Sequence, residues 1–491
     1  MQNTEASPID LVQIARQSML AKGLSPDFPS AAIAQLNTMQ APASCNGTSD
    51  VRNMTDKLWF SIDNDDSRDL DQLTYAERIN NDLVRVYVAI SDVDVMVQKY
   101  TPLDKHALTN TTSVYTPMVV FPMLPEKLST NFTSLNPDEK RLAIIVQMDV
   151  SETGQITHYE VFRGCVFNYA KLAYNGIGAW LENGALPPEP IRKITDLDFQ
   201  IRLQDEVAQR MKKYRHKSGA LTFETYDPQP VIKDGKIVDI QDVKINRARE
   251  LIENLMIAAN TSITLFLAKN KHPSIKRIVR IPKRWDRIVA IAAEYSVTLP
   301  AEPDSKALEA FLLKMRAEDP LRFPDLSLMI IKLLGRGEYV VELPTDKPLG
   351  HFALALSNYT HATAPNRRYP DLIVQRLLKS TLAHQTSPYS LFELQNMMNE
   401  CTLKESSADK VKRNVMKSVI ALYLKDSIGK TFDAFITGSG EKGTWVRLIS
   451  TAIEGKLIEG YQNVDVGDKI RVQLKAVSVE KGFLDFVRVK N

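Results

Sequence analysis

Residues 61–72, SIDNDDSRDLDQ, set five aspartates into nine positions: Asp63, Asp65, Asp66, Asp69 and Asp71. Carboxylates held a few ångströms apart repel unless protonated or neutralised, and hard oxygen donors of this kind suit Mg²⁺ or Mn²⁺. The flanks read as strands. LWFSI precedes the stretch, and LTYAERI and LVRVYVAIS follow it, joined by the turn residues Asn80, Asn81 and Asp82. The stretch is therefore an acidic loop between strands, with a divalent cation as its natural counterion. An EF-hand calcium loop does not fit: its sixth position needs Gly and is Arg68, and its twelfth needs a bidentate Glu and is Thr74. A merely solvated acidic loop is the remaining alternative, and the neighbouring strands argue against it.

The whole chain is large enough for more than one domain. Its 491 residues, 44% of them hydrophobic and 25% charged, have the composition of a soluble globular protein. A net charge of +3 announces no polyanion binder, so the distribution of charge matters more. The segment KHPSIKRIVRIPKRWDR, residues 271–287, has one acidic residue among seven Lys and Arg, and NRRYP and DKVKRNVMK add basic clusters. Beside an acidic metal loop these fit a polyanionic substrate. A solvated helix face is the alternative for any one of them.

Cys45, Cys165 and Cys401 lie far apart with no CxxC spacing, which predicts free thiols in a reducing compartment. MQNTEASPIDLVQ lacks the basic start and apolar core of a signal peptide, and no apolar run reads as long enough to span a membrane. A cytoplasmic, monomeric protein without membrane contact is expected.

Outward from the loop, residues 8–40 pattern as short helices broken at KGLSPDFPS, and strands dominate from Leu58 to about Val150, with a helical piece at LDKHALTN. There follow the strand HYEVFRGCVFNYAKL, a long polar helix from Asp196 to Lys217, a strand pair ALTFETYDP and QPVIKDGKIVDI, and a helix from Asn246 to Lys269. That helix sets Leu251, Ile252, Leu255, Met256, Ala258 and Ala259 on a broad apolar face, with Glu253 and Asn260 beside it. After Gly429 the character changes to short strands spaced by Gly-containing turns, the pattern of a small closed β-barrel. The fold class is α+β: a helical leader over residues 1–50, a mixed catalytic domain over 51–427 and a terminal barrel over 428–491.

Several separated motifs, in one order, resemble the RNase II/RNase R (RNB) family of exoribonucleases. They are SIDNDDSRDLDQ followed by VAISDV, then TSVYTPMVVFPMLPEKLSTNFTSLNP, GALTFET with ELIENLMIAANTS, and GHFALALSNYTHATAPNRRYPDLIVQRLL. The terminal barrel resembles an S1-type OB-fold. The resemblance implies Mg²⁺-dependent (or Mn²⁺-dependent) hydrolysis of single-stranded RNA from its 3′ end to nucleoside 5′-monophosphates.

By position, it implies that Asp63, Asp69 and Asp71 are metal ligands and catalytic groups, Asp71 foremost, and it assigns no ligand role to Asp65 or Asp66. Arg367 matches the arginine on the scissile phosphate, with a plain ion pair to Asp371 as the alternative. Tyr115 and Phe223 match an aromatic pair that stacks 3′-terminal bases, and Glu253 a carboxylate that reads the terminal ribose.

The sequence departs from the pattern in three places. Gln72 stands at the fourth motif aspartate; a carboxamide can ligate a metal but brings no charge, so a catalytically silent RNA-binding relative is the alternative function. Lys412 stands where an acidic residue is often found. The first 50 residues leave no room for two N-terminal cold-shock domains, and weaker binding of long RNA is expected.

Overall fold

The computed structural model describes residues 10–45, 50–233, 236–441, 443–449, 451 and 453–489. The start of MQNTEASPIDLVQ, part of the loop after Cys45 and the Asp-Gly turn of QPVIKDGKIVDI lie outside the described residues.

The aspartate loop leaves the strand Trp59–Asp63 and enters Gln72–Arg78, which turns back into Leu83–Ser91 in a register running from Gln72↔Ile90 to Arg78↔Val84. Leu83–Ser91 pairs on its other edge with Lys140–Ser151, an apolar run buried on both faces. The long strand Ile156–Ala173 then does double duty. Its first half is antiparallel to Lys140–Ser151, and its second half runs parallel to Trp59–Asp63, ending on the pair Asp63↔Ala173. The six-stranded sheet, completed by Val51–Asn53, thus bends back to the strand that carries Asp63.

Both faces of this sheet are covered. One packs Phe60, Val86, Val88, Ile144 and Val146 against the central helix Arg247–Lys269, and the other gathers Trp59, Leu73, Tyr87, Ile145 and Phe162. Contrary to the sequence expectation, the central helix is long and apolar enough to cross a membrane by length and composition. It is a core helix: 67% of its apolar window is buried within the fold. The helix Leu197–Lys217 lies against the edge of the hairpin, where the Gln200 carboxamide accepts from the Ala76 N–H at 3.0 Å and donates to the Ala76 carbonyl at 2.7 Å. A separate helical cluster centres on Trp285, Phe311 and Phe323.

After Gly429 five strands, Thr431–Gly440, Gly443–Leu448, Glu454–Glu459, Lys469–Ser478 and Phe483–Arg488, close into a barrel, which removes the exposed edges short strands would otherwise present. The long helix Leu391–Leu424 begins in a Ser390/Glu393 capping box and shares one apolar core with the leader helix Leu11–Ala21 and the barrel. The leader is thereby part of the fold.

Two sequence expectations are corrected. ALTFETYD forms no strand; the hairpin is Pro228–Lys233 with Lys236–Asp242, built mainly from the second segment. The backbone of 221–224 spends its N–H groups elsewhere: Leu221 on the Ala353 carbonyl at 2.8 Å, Thr222 on the Glu309 carboxylate at 2.6 Å and Glu224 on the Ser327 hydroxyl at 3.3 Å. Extended chain held by helix side chains needs no ladder. Nor are all three cysteines free. Cys45 and Cys165 form a disulfide with Cα atoms 5.7 Å apart, and Cys401 alone is a buried thiol. The parallel pairing of Val51–Asn53 with residues 163–165 delivers Cys165 to the segment before that strand, a closure across 120 residues that spacing does not reveal.

Candidate active site

The loop is shaped by backbone contacts more than by its charges. Buried Leu70 anchors it: its N–H reaches the Ser134 hydroxyl at 2.9 Å, its carbonyl accepts from Leu135 N–H at 2.9 Å, and the Ser134 hydroxyl donates to the Arg68 carbonyl at 3.0 Å. Lys171 holds the Ser67 carbonyl from the neighbouring strand. Asp65 and Asp66 are left exposed at the tip, and Asp65 accepts a bond from Asn175 at 3.1 Å. This separates them from the other three.

Each inner aspartate has its own partners. Asp63 Oδ1 accepts from Asn64 N–H at 2.8 Å and the Ser67 hydroxyl at 2.9 Å. Asp69 Oδ2 accepts the Tyr115 hydroxyl at 2.6 Å. Asp71, 1% exposed, accepts from Asn366 N–H on Oδ1 and from Arg367 Nε on Oδ2, both at 3.0 Å. Burial pushes the Asp71 carboxyl up to about 7; Arg367 pulls against that and the negative charge of Asp69 adds to it. Burial likewise raises Asp63. Burial opposes the charge on Arg367, yet Asp71, Tyr115, Asp69 and Asp63 together hold it above the ordinary arginine value. One guanidinium therefore serves three carboxylates.

Arg367 comes from the loop before the helix Tyr369–Leu382, and its side chain remains 40% exposed while Asp71 is 2%. The ion pair with Asp371 belongs to Arg368 instead, at 2.7 Å. Asn366 locks the loop. Fully buried, it exchanges bonds with Thr133, taking the hydroxyl on Oδ1 at 2.5 Å and donating Nδ2 to the carbonyl at 3.2 Å. Ser91 N–H binds the Asp71 carbonyl at 2.9 Å, and the Ser91 carbonyl accepts Gln375 at 2.7 Å. Neither Asn366 nor this belt was read from the sequence, where each looks like an ordinary polar residue in a helix start or a strand end.

The other expected residues are spread wider. Tyr115 is joined to the aspartates and is 38% exposed, whereas Phe223 packs half-buried on the helical cluster of Trp285 and Phe311. Glu253 is exposed on the central helix, and Gln72 opens the strand after Asp71, its backbone paired with Ile90. Three of the seven cations of segment 271–287 are spent internally: Lys276 binds Glu342 at 3.0 Å, Arg277 binds Glu405 at 2.6 Å and Arg280 binds Glu338 at 3.0 Å. Lys283, Arg284 and Arg287 stay exposed. Lys412 is exposed on the long helix.

Among the described residues no group of three His, Cys, Asp or Glu side chains stands ready to close around one metal ion, so Asp63, Asp69, Asp71 and Gln72 are not a finished ligand set. Their chemistry fits a hard cation all the same. Asp71 is raised by burial and by Asp69, and Asp63 is raised by burial, so a positive ion beside them would relieve both.

The sequence model of the RNB domain matches residues 51–384, and that of the RNase II-type exonuclease C-terminal S1 domain matches residues 430–489. Ribonuclease R of Escherichia coli is 30% identical over 467 residues, covering 87% of this chain and 56% of the relative; Ribonuclease R of Vibrio cholerae is 29% identical over 467 residues, covering 88% and 56%. The chain thus spans little more than half the length of these relatives. Among solved structures, Mycoplasma genitalium RNase R in complex with ribose methylated single-stranded RNA superposes with a TM-score of 0.86 at 22% identity, over 98% of this chain and 78% of that one. Yeast Ssd1, a pseudonuclease, superposes with a TM-score of 0.72 at 16% identity, over 94% and 57%. With the RNB domain and the C-terminal S1 barrel in that order, and motifs that converge on Asp71 and Arg367, the chain belongs to the RNB family.

Proposed function

We propose that this chain is a hydrolytic 3′→5′ exoribonuclease that uses Mg²⁺ or Mn²⁺ to release nucleoside 5′-monophosphates from single-stranded RNA, acting as a cytoplasmic monomer. The observation that carries the reading is the 3.0 Å pair between Arg367 and Asp71 from distant motifs, set among Asp63, Asp69 and Tyr115.

Asp63, Asp69 and Asp71 would hold the metal, with Gln72 as a neutral neighbour. When bound, a divalent ion supplies an activated water and offsets charge on the scissile phosphate. The exposed face of Arg367 is free to give a phosphate paired, charge-assisted bonds and to stabilise negative charge as it develops. A phosphate so placed competes with Asp71 for the guanidinium. Asn366 N–H keeps the carboxylate oriented through that exchange. Tyr115 and Phe223 would stack bases, and the exposed Glu253 carboxylate would accept from a ribose 2′-hydroxyl.

The alternative, an RNA-binding protein without nuclease activity, is favoured by one observation: Gln72 removes a charge from a site whose carboxylates do not converge. A labelled-RNA assay with Mg²⁺ or Mn²⁺ separates the two. Release of 5′-monophosphates that vanishes in Asp71→Asn is expected; binding without release in the native chain would establish the alternative. Gln72→Asp alongside is expected to lower the metal concentration for half-maximal activity.

A further inference from the structure

Of the cations that sequence patterning marked for a polyanion, Lys276, Arg277, Arg280, Arg367 and Arg368 pair with carboxylates; two other arginines, beside the site, do not. Arg249 lies on the first turn of the central helix, one turn before Glu253. Its guanidinium stacks 4.6 Å from the Tyr174 ring centroid and donates from Nη2 to Asn64 Oδ1 at 2.7 Å. Asn64 directly follows Asp63, and Tyr174 directly follows Ala173, the residue paired with Asp63. Arg215, at the end of Leu197–Lys217, donates to Asn254 Oδ1 at 2.7 Å, and Asn254 directly follows Glu253.

The two arginines share three properties. Each is half-buried, each rests on a neutral carboxamide, and in each the buried Nε has no hydrogen-bond partner. No carboxylate within ion-pairing distance answers either of them among the described residues, in contrast to Arg247, Arg277 and Arg367. A partly desolvated guanidinium with idle donors is costly to maintain unless an anion completes it. Burial lowers the Arg215 guanidinium from its ordinary value, against the pull of Glu253.

We propose that Arg249 and Arg215 are RNA-binding residues that each take a backbone phosphate on the Glu253 side of the site, with Asn64 and Asn254 as their resting partners. This rests on the reading of the chain as an RNA-processing enzyme and adds to Arg367 two cations that carry binding. The exposed part of each half-buried guanidinium is open to a phosphate of an RNA strand, and the carboxamides hold the side chains in place until it arrives. Single-stranded RNA carries such phosphates at regular intervals, so two fixed cations favour a strand over an isolated anion.

The test is fluorescence-anisotropy binding of a single-stranded RNA oligonucleotide in EDTA, across a salt series, with the full chain. Loss of one phosphate contact lowers the slope of log K against log salt by about 0.7 for a single strand. Arg249→Gln and Arg215→Gln are each expected to lower it by about that amount, and the Lys variants to preserve it. Asn64→Ala, which removes only the resting partner, is expected to leave the slope unchanged and serves if a Gln variant fails to fold. Native binding with equal slopes in both Gln variants overturns this proposal alone; absence of RNA binding by the native chain overturns both it and the reading beneath it. Lys283→Gln, a change to an exposed lysine with no ion pair, tests whether any lost cation would do the same, and an equal drop there overturns the assignment.

Discussion

Arg367 Nε stands 3.0 Å from Asp71 Oδ2, joining two motifs 296 residues apart in one ion pair whose carboxylate is buried and whose guanidinium is partly open. The asymmetry matters for function. The carboxylate cannot leave, whereas the arginine can turn toward a ligand.

Arg367→Lys keeps the charge and loses the fork. It is expected to cut turnover by about 10²-fold, the scale for losing one preorganised charge-stabilising donor, with the thermal midpoint little changed. Steady-state kinetics beside a melting curve checks this; unchanged turnover would show that the guanidinium geometry is irrelevant.

The Asp71 carboxyl, raised from 3.8 to about 7, makes the metal-free fold pH-dependent in a defined direction. Between those two values the folded state binds a proton that the unfolded chain has released, so this group's contribution falls as pH rises through the window and levels off above about 7. Urea melts in EDTA from acid to neutral pH are expected to show native stability falling relative to Asp71→Asn as pH rises. Parallel curves for the two proteins would contradict the shift.

Asn366 is the hinge pin between the Arg367 loop and the sheet. Asn366→Ala removes the carboxamide that accepts from the Thr133 hydroxyl and donates to its carbonyl, leaving the hydroxyl only the Leu128 carbonyl, and is expected to cost about 1–3 kcal/mol of stability. Because the two side chains share that bond, Thr133→Val should cost less in the Asn366→Ala background than in the native chain, a non-additivity that a double-mutant cycle measures. Strict additivity would mean the two side chains do not depend on each other.

The Cys45–Cys165 bridge closes a loop of 120 residues. Cys45→Ser is expected to lower stability by about 2–4 kcal/mol in oxidising buffer and to make no difference once the native protein is reduced. Denaturant melts of both proteins with and without reductant decide it.

Much of this architecture was legible because it is written in short-range pattern. The hairpin around Asn80, Asn81 and Asp82, the helices beginning at Asp196 and Asn246 and the Gly-punctuated barrel all follow from local periodicity and turn chemistry. The motif order likewise pointed to the family and to Asp63, Asp69, Asp71 and Arg367. Tertiary structure alone decided who partners whom. Arg367 chose Asp71 and left Asp371 to Arg368; Lys276, Arg277 and Arg280 were consumed by carboxylates; ALTFET gave its N–H groups to helix side chains and the Ala353 carbonyl; and Cys45 met Cys165. The reason is physical: backbone preference acts over a few residues, whereas an ion pair, a disulfide or a side-chain acceptor depends on which distant surfaces the packed sheet brings within about 3 Å, the reach of a hydrogen bond.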